Sequence, residues 1–84
     1  MAKKGYYKKN GRHSTVNLSD FQGDIMDCLC AYYGKTDDEY IRNALKENGL
    51  YDLRIKANRS EFIGDYIFAD VIQLLKAGIS VEGI

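Results

Sequence analysis

Polar and apolar side chains alternate over residues 13–18, which read HSTVNL. Alternate side chains of a strand share a face, so Ser14, Val16 and Leu18 lie on one side. The opposite side is polar and carries His13, Thr15 and Asn17. A lone strand is unstable in water, and nothing later in the first 50 residues offers an obvious hairpin partner. We therefore expect pairing with the same strand of a second copy, which makes a homodimer part of the predicted fold.

Two helices are predicted after the strand. Ser19 is expected to cap the first, which runs to about residue 33 and ends at Gly34. Gly23 inside it either admits a close approach of the partner chain or is merely tolerated. Thr36 caps the second helix, with Glu39 completing a capping box, and an Asn-Gly pair ends it near residue 48.

The last third of the chain predicts one further helix. Residues 53–57 alternate like a short strand or an extended connector. Asn58 or Ser60 then caps a helix over about residues 59–77, before Gly78. Its apolar residues cover more than one narrow stripe, so it must be buried against the first two helices or against another subunit. The second arrangement would allow a tetramer.

Charge is distributed unevenly along the 84 residues, although the formal net charge is zero. Residues 1–13 carry five basic side chains and no acid, which leaves seven basic and twelve acidic residues in 14–84. A basic segment before an acidic body is typical of an arm that binds a polyanion. We expect residues 1–11 to be flexible when free. One domain this small has a marginal core as a monomer, which also favours an oligomer.

Several classes of function lack support in the residues. Cys28 and Cys30 point in different directions on the first helix, so they cannot pair with each other there, and free thiols in a reducing compartment are expected. His13 is the only histidine, and no motif places a nucleophile or a carboxylate beside it. We expect no metal, no cofactor and no enzymatic activity. Neither a secretory signal nor a membrane span is predicted, which suggests a cytoplasmic protein.

Residues 12–49, with LSD closing the strand and GKTDDEYIRNAL opening the second helix, resemble the ribbon-helix-helix family of DNA-binding proteins, the Arc and MetJ type of repressor. The resemblance implies a mainly α fold with one short strand per chain. Two chains would intertwine as a homodimer whose strands form an antiparallel ribbon in the DNA major groove. By this reading residues 1–11 are a basic arm, 12–49 the DNA-binding and dimerisation domain, and 50–84 a C-terminal extension.

The resemblance also implies which residues contact DNA. His13, Thr15 and Asn17 would read base edges. The alternative is that these polar side chains merely occupy the solvated face of a half-buried strand. Contacts to phosphates would come from Lys3, Lys4, Lys8, Lys9, Arg12, Lys35 and Thr36.

One feature departs from the family pattern. The family clamps a phosphate with the amides at the start of the second helix. In this chain Asp37 and Asp38 lie there, and their carboxylates would repel a phosphate. A stacking role for Tyr6 and Tyr7 on single-stranded nucleic acid is the weaker alternative to packing on the protein.

Three functions are compatible with these residues. The first is sequence-specific binding of double-stranded DNA as a small transcriptional repressor. The second is an antitoxin, or a plasmid partition or mobilisation accessory protein, of the same fold. The third is a dimeric protein-interaction module without DNA binding, which the acidic body motivates. No small-molecule substrate is evident.

Overall fold

The computed structural model describes residues 1–84 as a β-hairpin followed by three helices. The strands are β1 (Ala2–Tyr7) and β2 (His13–Leu18). The helices are α1 (Asp20–Tyr33), α2 (Asp37–Glu47) and α3 (Arg59–Lys76). None of these helices combines the length and the apolar character needed to cross a bilayer.

The two-stranded antiparallel ribbon forms within one chain. β1 pairs with β2 in a register that runs from Ala2 opposite Leu18 to Tyr7 opposite His13. The Lys8 amide donates to the Arg12 carbonyl at 2.8 Å and closes the turn. The predictions of a flexible arm over residues 1–11, of one strand per chain and of a ribbon shared between two chains are therefore wrong.

The sequence signal for the pairing of β1 lies in the turn that follows it. Residues 2–7, AKKGYY, place alternate side chains on opposite faces, and Tyr6 is buried in the core. The turn contains Asn10-Gly11, a dipeptide favoured in hairpin turns, and Gly11 has a φ of 83°. The four lysines at positions 3, 4, 8 and 9 are instead typical of a solvated arm. Burial of Tyr6 and the ladder of hydrogen bonds give β1 the stabilisation that lysines do not supply.

Helices cover both edges of the ribbon at specific backbone groups. On the β1 edge, the Tyr7 amide donates to Asp38 of α2 at 2.7 Å, and the Tyr7 carbonyl accepts from the Tyr51 hydroxyl at 2.7 Å. On the β2 edge, the Asn17 amide donates to the Ser60 hydroxyl of α3 at 2.9 Å. At these positions the backbone groups of the strand edges, which could otherwise pair with another strand, form hydrogen bonds within the chain.

Helix α1 begins and ends where the sequence predicts. Ser19 and Gln22 form a capping box, and Gly34 ends the helix in the left-handed conformation with a φ of 67°. At Gly23 an added Cβ would lie 2.5 Å from the Ala2 Cβ. Gly23 thus admits β1 of the same chain, and not a partner chain, close to the helix.

Helices α2 and α3 also confirm the predicted caps. Thr36 and Glu39 form the capping box of α2, and the Asn58 side chain accepts from the Glu61 amide at the start of α3. Residues 52–55 form a turn with bends at its ends, residues 56 and 57 are irregular, and none of them pairs as a strand. The Arg59 guanidinium stabilises this connection, because its Nη2 donates to the carbonyls of Leu50, Asp52 and Ile55 at 3.1 to 3.2 Å.

One core joins the hairpin to all three helices. Val16 and Leu18 of β2 pack with the inner faces of α1, α2 and α3, and every one of the 14 core residues belongs to a strand or a helix. Only part of α3 is covered, because Ile72 remains 50% exposed and Leu75 60% exposed. In the ribbon, the face that carries Val16 and Leu18 is buried in this core, and the opposite face is exposed.

Candidate nucleic-acid interface

The outer face of the hairpin brings the predicted base-reading residues together. His13, Thr15 and Asn17 are exposed there, as the alternation of β2 predicts. Their cross-strand neighbours on β1 are Tyr7, Gly5 and Lys3. We call this surface the ribbon face, and it consists of Lys3, Gly5, Tyr7, His13, Thr15 and Asn17. It is a row of three cross-strand pairs with hydrogen-bonding groups along most of its length.

The His13 ring is held by β1. Its imidazole packs edge-on against the Tyr7 ring with centroids 5.3 Å apart. It also lies over Gly5, where an added Cβ would be 2.5 Å from the His13 Nε2. Glycine at this position leaves the space that the imidazole fills. The ring is thereby positioned on the ribbon face instead of extending freely into water.

Positive charge lies along the ribbon face and at its turn. Lys3 is exposed on the face, and Lys8, Lys9 and Arg12 belong to the turn. No residue of the hairpin is acidic. Two carboxylates approach the turn from outside the hairpin, and each has an arginine partner. Asp38 pairs with Arg42 at 2.8 Å, and Asp52 pairs with Arg54 at 2.8 Å.

The Asp52 pair reduces the negative charge near the turn. Hydrogen bonds from the side chain and the amide of Arg54 hold the pKa of Asp52 well below its usual range, and the charge of Lys9 adds to this effect. Arg54 offsets the carboxylate that would otherwise oppose an anion near Lys9. Local charge at this end of the hairpin is therefore positive.

Lys4 is excluded from the set of predicted phosphate contacts. Its side chain lies on the inner side of β1, is largely buried and pairs with Asp27 of α1. Burial lowers the pKa of Lys4, but the hydrogen bond that Lys4 donates to Asp27 and the charge of Asp37 outweigh burial and raise it. The residue holds β1 to α1, because the strand period places it opposite to Lys3.

The side chains of Lys35 and Thr36 contact groups of α1 and α2. The Thr36 hydroxyl accepts from the Glu39 amide at 3.2 Å and lies 3.1 Å from a Glu39 carboxylate oxygen. Lys35 extends over the Tyr33 ring, with Nζ 5.4 Å from its centroid. The start of α2 is thus occupied by its own capping box and by acidic side chains. Lys35 and Thr36 are therefore not part of the candidate interface.

The two cysteines lie on α1 and are free thiols. Cys30 is buried, and burial together with the charges of Asp37 and Asp27 raises its pKa to about 12, so the thiol stays protonated. Cys28 is half-buried. No group of three or more His, Cys, Asp and Glu side chains is arranged to hold a metal ion.

No family model, curated protein or solved structure matches this chain. The support for the candidate interface therefore comes from the strand pairing, exposure and charge of its residues. Sequence reasoning identified the β2 half of the ribbon face and missed Gly5 and Tyr7 of the β1 half. The Asn10-Gly11 dipeptide, which is favoured in hairpin turns and lies just before β2, is the signal that could have found them.

Proposed function

We propose that this protein binds double-stranded DNA by inserting the ribbon face into the major groove, as the small transcriptional regulator expected from its sequence. The observation that carries the proposal is a two-stranded ribbon whose free face is rich in hydrogen-bonding groups, lacks acids and continues into a basic turn. A two-stranded ribbon fits the major groove, which is about 12 Å wide in B-DNA.

The side chains of the ribbon face suit base recognition. Asn17 can form a bidentate pair with adenine, and Lys3 beside it can donate to guanine. Thr15 offers a hydroxyl together with a methyl group for thymine, and the His13 imidazole is held where it can donate to a base or a phosphate. The face therefore offers sequence-dependent contacts as well as charge.

Phosphate contacts come from the turn in this proposal. Lys8, Lys9 and Arg12 lie at the end of a ribbon whose strands are six residues each, roughly 20 Å long. Such a length spans the groove, so one end of the ribbon reaches the sugar-phosphate backbone. With Lys3, up to four cations meet the DNA per chain, which predicts a slope of log affinity against log salt of about −3.6.

A salt titration tests the charge part of the proposal. We expect the full chain to bind a random duplex with this slope, which corresponds to a loss of roughly 150-fold between 50 and 200 mM salt. Lys9→Ala should reduce the slope by about 1. Lys76→Ala is the matched control, because Lys76 is equally exposed but lies at the opposite end of α3 from Ser60, which contacts β2.

The outcome separates DNA binding from a protein-interaction role. Absence of binding at low salt, or equal slopes for the Lys9 and Lys76 variants, would contradict the proposal. Selection of bound sites from random duplexes then tests base recognition. Asn17→Ala should weaken binding to a selected site by about 1–3 kcal/mol while binding to random DNA stays nearly constant.

A further inference from the structure

A second polar site lies away from the ribbon, where the end of α1 meets α2 and α3. It is an open cavity of about 240 Å³. Three tyrosines, two carboxylates and one lysine dominate its lining: Tyr33, Lys35, Tyr40, Glu47, Tyr66 and Asp70. None of these residues takes part in the proposed DNA interface. Their arrangement indicates what kind of ligand the cavity accepts.

The tyrosine hydroxyls donate their hydrogens to the carboxylates. Tyr33 and Tyr40 donate to the two oxygens of Asp70 at 2.6 and 2.7 Å. Tyr66 donates to Glu47 at 3.2 Å. A phenol has one hydrogen, so each of these hydroxyl oxygens presents only lone pairs to the cavity. Apart from the Lys35 ammonium and the side-chain amides of Asn43 and Gln73, the polar groups of the wall are therefore acceptors.

The three phenols stay protonated at neutral pH. Burial raises the pKa of Tyr66 to about 12, with the charge of Glu47 adding to it. Burial and the hydrogen bonds to Asp70 raise the pKa of Tyr33 and Tyr40 further. The two carboxylates are thus the negative charges of the cavity, and Lys35 is its one positive charge.

Aromatic faces line the same space. The rings of Tyr33 and Tyr40 have centroids 6.4 Å apart, and those of Tyr40 and Tyr66 are 5.8 Å apart and nearly perpendicular. The Lys35 ammonium lies 5.4 Å from the Tyr33 centroid. An ammonium over a tyrosine face within about 6 Å is attracted by the ring quadrupole. The chain therefore already places one ammonium group against this wall.

We infer that this cavity binds the ammonium group of a primary alkylamine. The acceptors of Asp70, Glu47 and the phenols receive its N–H groups, and the tyrosine faces contact its charge and its first methylenes. A quaternary ammonium ion offers charge without N–H donors, so it binds less tightly. An anion is disfavoured, because two carboxylates face the single lysine.

The test uses the full chain labelled with ¹⁵N and titrated with n-butylamine hydrochloride at pH 7 and constant ionic strength. We expect saturable shifts of the amides of residues 33–35, 40–47 and 66–73. Tetramethylammonium should produce weaker shifts at the same sites. Titration with 1,4-diaminobutane and with Nα-acetyl-lysine amide distinguishes a free polyamine from a lysine side chain as the source of the ammonium group.

Removing a positive side chain and removing a negative side chain from the cavity should have opposite effects on binding, which makes the test specific. Lys35→Ala removes the resident cation, and butylammonium should bind about three- to tenfold more tightly. Lys46→Ala is its control, because Lys46 lies over Tyr51 with Nζ 5.1 Å from the ring centroid and does not line the cavity. Glu47→Gln should weaken binding, whereas Glu61→Gln, an exposed acid on the first turn of α3, should not.

Two results would overturn the inference. One is the lack of saturable shifts in both the wild-type chain and the Lys35 variant. The other is an equal gain from Lys35→Ala and Lys46→Ala, which would show a response to net charge alone. Glu47 is exposed, so its variant is expected to fold, and a thermal unfolding curve verifies this before titration.

Discussion

Gly5→Ala separates the role of the ribbon face in DNA binding from its role in folding. A Cβ at this position would lie 2.5 Å from the His13 Nε2 and 2.9 Å from its Cε1. Because the imidazole is the far end of an exposed side chain, it can rotate off β1 without moving the backbone. The substitution therefore displaces one proposed base-reading group and leaves every cation in place.

The two effects of Gly5→Ala on stability nearly cancel. Replacing glycine in a strand reduces the entropy of the unfolded chain and stabilises by roughly 0.4–1 kcal/mol. Losing the edge contact between His13 and Tyr7 costs about 0.5–1.5 kcal/mol. We expect the free energy of unfolding to change by less than about 1 kcal/mol, which keeps the Tm within roughly 8 °C of the wild-type value.

Binding should change much more than stability. Loss of one base contact weakens binding to a selected duplex by roughly five- to 150-fold, and binding to random DNA should stay constant. Fluorescence anisotropy with both duplexes measures this difference, and circular dichroism follows unfolding. His13→Ala should reproduce the loss, and the double variant should lose no more than either single one. If NMR shows a displaced His13 ring while affinity for the selected site is unchanged, His13 does not read DNA.

Three further predictions concern the rest of the molecule. Arg59→Ala should destabilise the fold by about 2 kcal/mol in urea unfolding, because carbonyls of the connection before α3 lose a charged donor; an unchanged midpoint would contradict this. The raised pKa of Cys30 stabilises the folded state, and this stabilisation is fully present at pH values below the pKa of the thiol in the unfolded chain, about 9. This stabilisation is lost as the pH rises to about 12. Between pH 8 and 10 the free energy of unfolding should therefore decrease less for the Cys30→Ala variant than for the wild type. Because the ribbon is complete within one chain, a homodimer would need another surface, and we predict that it forms through Ile72 and Leu75 of α3, which are large, apolar and exposed. Sedimentation should give twice the 9.5 kDa of one chain, and the double substitution Ile72→Lys/Leu75→Lys should give a monomer.

The termini of the helices follow from the sequence because their interactions are local. Ser19 and Thr36 are each bonded to a residue three positions later, and Gly34 needs only its own backbone conformation. Such contacts form between neighbours in the chain, so a short window of sequence contains them. The outward placement of Thr15 and Asn17 follows in the same way from the period of a strand.

The partner of β2 was decided by long-range packing. Nothing local marks residues 2–7 as a strand more strongly than their lysines mark a solvated arm. Tyr6 in the core, Lys4 on Asp27 and the Tyr7 amide on Asp38 stabilise β1, and the last two contacts join residues 23 and 31 positions apart. They also explain why a second chain is not needed to complete the ribbon.

The tyrosine cavity depends on tertiary structure entirely. Tyr33, Tyr40 and Asp70 belong to three different helices, and no motif in the sequence links them. Packing α3 against α1 and α2 brings one carboxylate within hydrogen-bond distance of both hydroxyls. By itself the sequence determined the helix boundaries and the polar face of β2, because those depend on near neighbours. Only the folded chain decided which strand completes the ribbon and where the carboxylates meet the phenols, because those pairings join residues distant in sequence.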